Sequence, residues 1–229
     1  MKKITIAIDD FSSTGKSTIA KQLDKELEYI YVDTGAMYRA VTLYALRKKY
    51  IDPDNFSESD LVSDLHNIDL KFQYNDALGF AEMYLNGENV EKEIRTLKVS
   101  DYVSKVAAVP EVRYQLVKQQ QKMGEDKGIV MDGRDIGTVV FPDAELKLFM
   151  TASPEKRAMR RYKELIDKGD DVKYEDVLRN VQNRDYIDSH REDSPLRQAE
   201  TAIAIDNSDM GLKEQFERIL NLVNRTINA

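Results

Sequence analysis

Ile4-Thr5-Ile6-Ala7-Ile8-Asp9-Asp10-Phe11-Ser12-Ser13-Thr14-Gly15-Lys16-Ser17-Thr18 is the stretch on which the fold turns. Its first five residues form a largely β-branched run of the kind that makes a buried strand. After Ser17, Ile19, Ala20 and Leu23 fall at helical spacing. Strand, tight turn and helix are the frame of a phosphate-binding loop. Backbone N–H groups of the turn and the helix start face one concavity, and the helix N-terminus adds partial positive charge. Residues 10–18 therefore form the expected polyphosphate cradle. Lys16 is placed to reach the β- and γ-phosphates, and the Ser17 hydroxyl to ligate Mg²⁺. The usual pattern is G-x-x-x-x-G-K-[ST], and Asp10 stands at its first glycine. A bare Gly-Lys-Ser turn can also do no more than cap a helix.

Working outward, the chain of 229 residues suits one large domain or a core with an insertion. With 33% charged and 41% hydrophobic residues it reads as a soluble globular protein. A net charge of −7 argues against a nucleic-acid binder, so phosphate affinity must come from local arginines. The absence of cysteine excludes disulfides and thiolate metal sites. No signal-peptide pattern opens the sequence and no run of about 18 apolar residues occurs, so a cytoplasmic location is expected.

Glu28–Val32, Ile129–Met131, Leu146–Met150 and Ala202–Ile205 read as further core strands, alternating with helical stretches. That alternation predicts a parallel sheet with chemistry at the strands' C-terminal ends. Ile68–Phe72 and Ala81–Leu85 alternate in period two, and Asn86-Gly87 is a hairpin signal. Residues 55–95 are expected to form a small antiparallel insertion, with the core at 1–54 and 96–229.

Four further constellations look chemical, each with a plainer alternative. Asp33-Thr34-Gly35-Ala36-Met37-Tyr38-Arg39 could hold an anion or be a helix N-capped by Thr34 with an exposed arginine. Asp132-Gly133-Arg134-Asp135 could organise Mg²⁺ and substrate or be a turn with a surface ion pair. Arg157, Arg160 and Arg161 crowd one helix, which favours an anion but also fits a solvated face. Arg184, Asp188 and Arg191 line one face, as a phosphate and sugar grip or as an ion-pair ladder. Two phosphate-binding regions and this arginine reserve point to phosphoryl transfer between two nucleotides. His66 and His190 read as ordinary surface or packing residues.

These residues resemble bacterial cytidylate kinases, within the nucleoside monophosphate kinases. The likeness runs from Ile6-Ala7-Ile8-Asp9 and Gly15-Lys16-Ser17-Thr18 through Asp33–Arg39, Ile94-Arg95, Ser104–Ala108 and Val112-Arg113. Asp132–Pro142, its most specific part, Arg157–Arg161, and Arg184-Asp185 with Asp188 complete it. The resemblance implies an α/β fold: a P-loop NTPase-type parallel sheet flanked by helices, a small antiparallel β insertion that binds the monophosphate, and an α-helical lid at about 154–190. It implies Mg²⁺-dependent transfer of the ATP γ-phosphate to CMP or dCMP. Apart from the resemblance, the chain is expected to act as a monomer, with no nucleic-acid or membrane partner. Lys16, Arg134, Arg184 and Asp135 become the catalytic set. ATP falls to Asp10, Phe11, Ser12, Ser13, Thr14, Gly15, Lys16, Ser17 and Thr18, with Arg157 and Arg161 from the lid. Thr34, Arg39, Arg134 and Arg184 would hold the acceptor phosphate. Ser104, Arg113 and Asp135 would read cytosine, Asp188 the ribose, and Arg191 would support Asp188 or the phosphate. Asp10 and Glu28 both replace glycines frequent in the family. A catalytically weak nucleotide binder on the same fold is the alternative that Asp10 raises. A switch GTPase is disfavoured, because its Asn-Lys-x-Asp signature is absent.

Overall fold

β1 (Thr5–Asp10) is buried at every position and runs through the middle of a five-stranded sheet in a computed structural model describing residues 2–229. In chain order follow α1 (Lys16–Leu27), β2 (Ile30–Asp33), α2 (Thr34–Arg47), α3 (Glu58–Asp64), β3 (Leu70–Asn75), β4 (Phe80–Leu85) and β5 (Glu88–Asn89). Next come α4 (Leu97–Val106), α5 (Pro110–Met123), β6 (Ile129–Gly133) and β7 (Leu146–Thr151). The chain ends with α6 (Pro154–Asp167), α7 (Tyr174–His190), β8 (Ile203–Asp206) and α8 (Leu212–Ile227). Two compact units emerge. One joins the chain up to Val32 with Gln121–Ala229, and the other is Asp33–Gln120.

In the first unit the strand order is β2-β6-β1-β7-β8. The β1/β6, β1/β7 and β7/β8 pairs are parallel, as the alternating strand and helix pattern requires. The register sets Ile8 beside Asp132 and Asp9 beside Gly133. The phosphate loop and the Asp132–Asp135 corner therefore leave neighbouring strand ends on the same edge. Beneath them Ile4, Ile6, Ile8, Val130, Leu148 and Met150 join Ile19 and Leu23 of α1 and Ile219, Val223 and Ile227 of α8 in one apolar core. The α8 residues recur at four-residue spacing, which lays one helix face on the sheet.

The second strand starts later than Glu28. Glu28 closes α1 in the left-handed conformation, φ 55°, and its N–H bonds to the Asp24 carbonyl. A glycine would take that conformation without steric cost.

The second unit holds the three-stranded antiparallel sheet β3-β4-β5. Asn86 and Gly87 both have positive φ, 51° and 83°, as a two-residue hairpin with the twist of its strands demands. Asp33 caps α2 by accepting the Ala36 N–H at 3.0 Å, so the cap is the aspartate and not the Thr34 hydroxyl. Arg95 bridges Asp33 and Glu91, each at 2.8 Å. No helix among the described residues is long and apolar enough to cross a membrane.

Candidate functional site

The loop after β1 turns through two left-handed residues, Ser13 (φ 62°) and Gly15 (φ 93°), before α1 begins at Lys16. At Gly15 a side chain would be strained by the backbone alone. Asp10 is not in the left-handed region. It is the last residue of β1, paired with Met150, so its Cβ causes no backbone strain. The loop carbonyls are occupied from outside. Ser12 O accepts from Arg157 at 2.9 Å, and Thr14 O from Arg160 at 3.0 Å and Asn207 at 2.8 Å. Asp185 of α7 accepts both the Ser12 N–H (3.3 Å) and its hydroxyl (3.2 Å), and pairs with Arg157 at 2.7 Å.

At the helix start, Lys16 Nζ lies 2.6 Å from Asp10 Oδ1. Arg134 Nη1, from the end of β6, lies 2.9 Å from the same oxygen, while Arg134 Nε donates to Asp188 Oδ2 at 2.9 Å. The other Asp10 oxygen accepts the Thr14 hydroxyl. Burial raises the Asp10 carboxyl above its ordinary pKa, while Lys16 and Arg134 pull it back down. For Arg134 burial acts downward, but the Asp10 and Asp188 charges win and hold the guanidinium firmly protonated. Arg184 is also buried. Burial first, then repulsion from Arg134, lowers it to about 10. Two guanidiniums that repel each other in a low-dielectric site favour an anion between them. Arg191 completes the first unit's set, lying 3.7 Å from Asp135 and 4.0 Å from Asp188.

Asp9 is the hidden member of this edge. Its two oxygens accept the N–H groups of Ile136 and Gly137, each at 2.7 Å. A Cβ on Gly137 would come 3.3 Å from Asp9 Oδ2, so a glycine there permits the close approach. Burial pushes Asp9 up to about 7, against the pull of these two donors. The turn it holds, Ile136–Val140, is a single π-helical turn, a form concentrated at functional sites. Ser17 Oγ donates to Asp132 Oδ2 at 3.1 Å, and Tyr31 reaches the same oxygen at 2.8 Å.

Four expected acceptor residues lie in the second unit. Thr34, Ser104 and Arg113 are buried, and the Ser104 hydroxyl has no hydrogen-bond partner among the described residues. Arg113 donates to Ala107 O at 3.2 Å and lies over the Tyr38 ring at 5.4 Å. Arg39 donates to Ile94 O at 3.2 Å.

A family model described as cytidylate kinase matches residues 6–225. The chain belongs to the cytidylate kinase family. A relative of that name from Flavobacterium johnsoniae is 67% identical over 227 residues, 99% of each chain. Another, from Parabacteroides distasonis, is 58% identical over 229 residues and covers both chains fully. Among solved structures, an uncharacterised protein from Eubacterium ventriosum has a TM-score of 0.50 at 11% identity, covering 98% of this chain and 99% of that one. That likeness speaks to the fold alone. The alternative of a catalytically weak binder gains no support from these cytidylate kinase relatives.

Two contributors, Asn207 and Tyr31, were not among the residues singled out. Arg160, Asp132 and Asp185 lay in the stretches the sequence pointed to, but their partners Thr14, Ser17 and Ser12 were not foreseen. Asn207 directly follows β8, and the rule that chemistry gathers at strand C-terminal ends points to it. Arg157 does more than line a helix face. Its Nε donates to Ala152 O at 2.8 Å, and its guanidinium lies 5.4 Å from the Phe11 ring centroid. Arg161 pairs with Glu164 at 2.8 Å.

Proposed function

We propose that the chain transfers the γ-phosphoryl group of ATP to CMP or dCMP, releasing ADP and the diphosphate. The observation that carries this reading is convergence. Lys16, from the phosphate loop, and Arg134, from the next strand end, reach one oxygen at 2.6 and 2.9 Å. That is the pair of cations an in-line transfer between two phosphates needs. An acceptor phosphate oxygen forms the new bond to the γ-phosphorus as the bond to the ADP oxygen breaks. No covalent intermediate on the protein is required. Lys16 holds donor oxygens, while Arg134 and Arg184 hold the acceptor phosphate and neutralise charge on the group in flight. Asp188 is assigned the ribose, with Arg191 behind it. Ser104, Arg113 and Asp135 are assigned cytosine. Its amino donor and its ring acceptors suit a carboxylate, a hydroxyl and a guanidinium. Thr34 and Arg39 are assigned the acceptor as well, and Arg157 and Arg161 a mobile lid over ATP.

The Ser17 hydroxyl and Asp132 carboxylate are hard oxygen donors that fit Mg²⁺. Among the described residues no three acidic, histidine or cysteine side chains cluster as a metal cage. The ion would therefore take its remaining ligands from phosphates and water, and its chemistry would be to screen phosphate charge.

Coupled ADP release with a panel of CMP, dCMP, UMP and AMP tests the reading. The expected outcome is release that depends on CMP or dCMP and is weaker with UMP. Absence of CMP-dependent release from folded protein with Mg²⁺ refutes it.

A further inference from the structure

Asp10 is an acidic side chain inside a cradle built for anions. Its side chain has no solvent exposure, whereas those of Lys16 and Arg134 retain 13% and 14%. One oxygen, Oδ1, sits between the ammonium and the guanidinium, 2.6 and 2.9 Å away. The second is held by the Thr14 hydroxyl of the same loop. Other charges around it are Arg157 from α6 and, as a like charge, Asp9 one residue earlier. Asp188 competes for Arg134 from α7. A phosphoryl oxygen bound to this cradle seeks the same two cations in the same arrangement.

We infer that Asp10 is an internal stand-in for a phosphate oxygen, seated between Lys16 and Arg134, and that incoming nucleotide must displace it. The inference rests on the kinase reading and adds a regulatory layer to it. The protein is an active kinase whose two principal cations are paired with each other through a carboxylate while the cradle waits. Two consequences follow from the shared oxygen. Polyphosphate binds more weakly than the cradle alone would allow, because each new ion pair replaces an existing one. The effect is confined to ligands that carry phosphate, since only Lys16 and Arg134 change partners.

Asp10→Asn keeps the shape and a neutral acceptor, and Asp10→Gly removes the side chain. Each is compared with the wild-type chain by titration calorimetry with Mg·ATP, inorganic tripolyphosphate and adenosine, after thermal denaturation shows which variants are folded. Losing one charge-assisted competitor is expected to lower the dissociation constants for ATP and tripolyphosphate about ten- to a hundredfold. Adenosine binding is expected to stay within about twofold, since none of the displaced contacts concerns the base or sugar. The inference is overturned if every variant that folds binds ATP no more tightly than the wild-type chain. It is also overturned if adenosine tightens as much as ATP, which marks a general change of shape. This comparison needs no turnover. CMP-dependent ADP release by the wild-type chain decides the kinase reading separately.

Discussion

Replacing Arg157 by alanine distinguishes a loop clamp from a nucleotide ligand. The guanidinium makes three short contacts at once: Ala152 O at 2.8 Å, Ser12 O at 2.9 Å and Asp185 Oδ2 at 2.7 Å. Its own side chain is 3% exposed and that of Asp185 15%. Removing one partner of a buried ion pair costs about 3–5 kcal/mol, largely through the charge left behind. Asp185 keeps the Ser12 N–H and hydroxyl and some water, which places the loss toward the lower end. Two carbonyls also lose their donor, at about 1 kcal/mol each. A net loss of about 5 kcal/mol lowers the melting temperature of a chain this long by roughly 10–20 °C. Circular dichroism melts of wild type, Arg157→Ala and Arg157→Lys measure it. Lysine restores the charge but not the fork, so it should recover part of the loss. A melting temperature for Arg157→Ala within about 2 °C of wild type refutes the clamp. Lost ATP affinity with an unchanged melt would show the guanidinium to be a ligand alone.

Arg134→Ala should lower kcat by about 10³-fold, because the group between Asp10 and Asp188 is the one assigned to the phosphoryl in flight; an unchanged kcat in folded protein removes that role. Gly124→Ala places a Cβ 2.3 Å from the Phe141 ring, so it should destabilise the chain by about 1–3 kcal/mol in urea denaturation; no change in the midpoint shows that the ring yields freely. Hydrogen bonds from Tyr44, Asn67 and Tyr50 hold the Asp64 carboxyl down at about 2, against an ordinary 3.8. Its contribution to stability is thus complete above about pH 4 and lost as pH falls through 2. Asp64→Asn should flatten the stability profile in that window, and an unaltered acid limb contradicts the assignment.

The sequence announced the elements whose signals are local. The phosphate loop needed only a strand, a Gly-Lys-Ser turn and a helix start. Asn86-Gly87 needed only two residues tolerant of positive φ, and both adopt it. What stayed hidden was set by partners far along the chain. Asp9 reads as one more strand residue, because nothing near it tells that its oxygens will meet Ile136 and Gly137, 127 and 128 positions later. Arg157 could be placed on a helix face, but not opposite Ser12 and Asp185. The second strand was misplaced by two residues because Glu28 carries no glycine to mark the end of α1, although its backbone bends there as glycine would.

The grip of Asp9 on two successive peptide groups fastens the root of the phosphate loop to the corner that carries Arg134. The two halves of the proposed chemistry are thus cast as one block. Thermal motion that separates donor from acceptor must then arise in the helices and side chains around that block. A mutation that loosens the weld would be felt as imprecision in aim, with ligands still bound and the reacting atoms no longer in line.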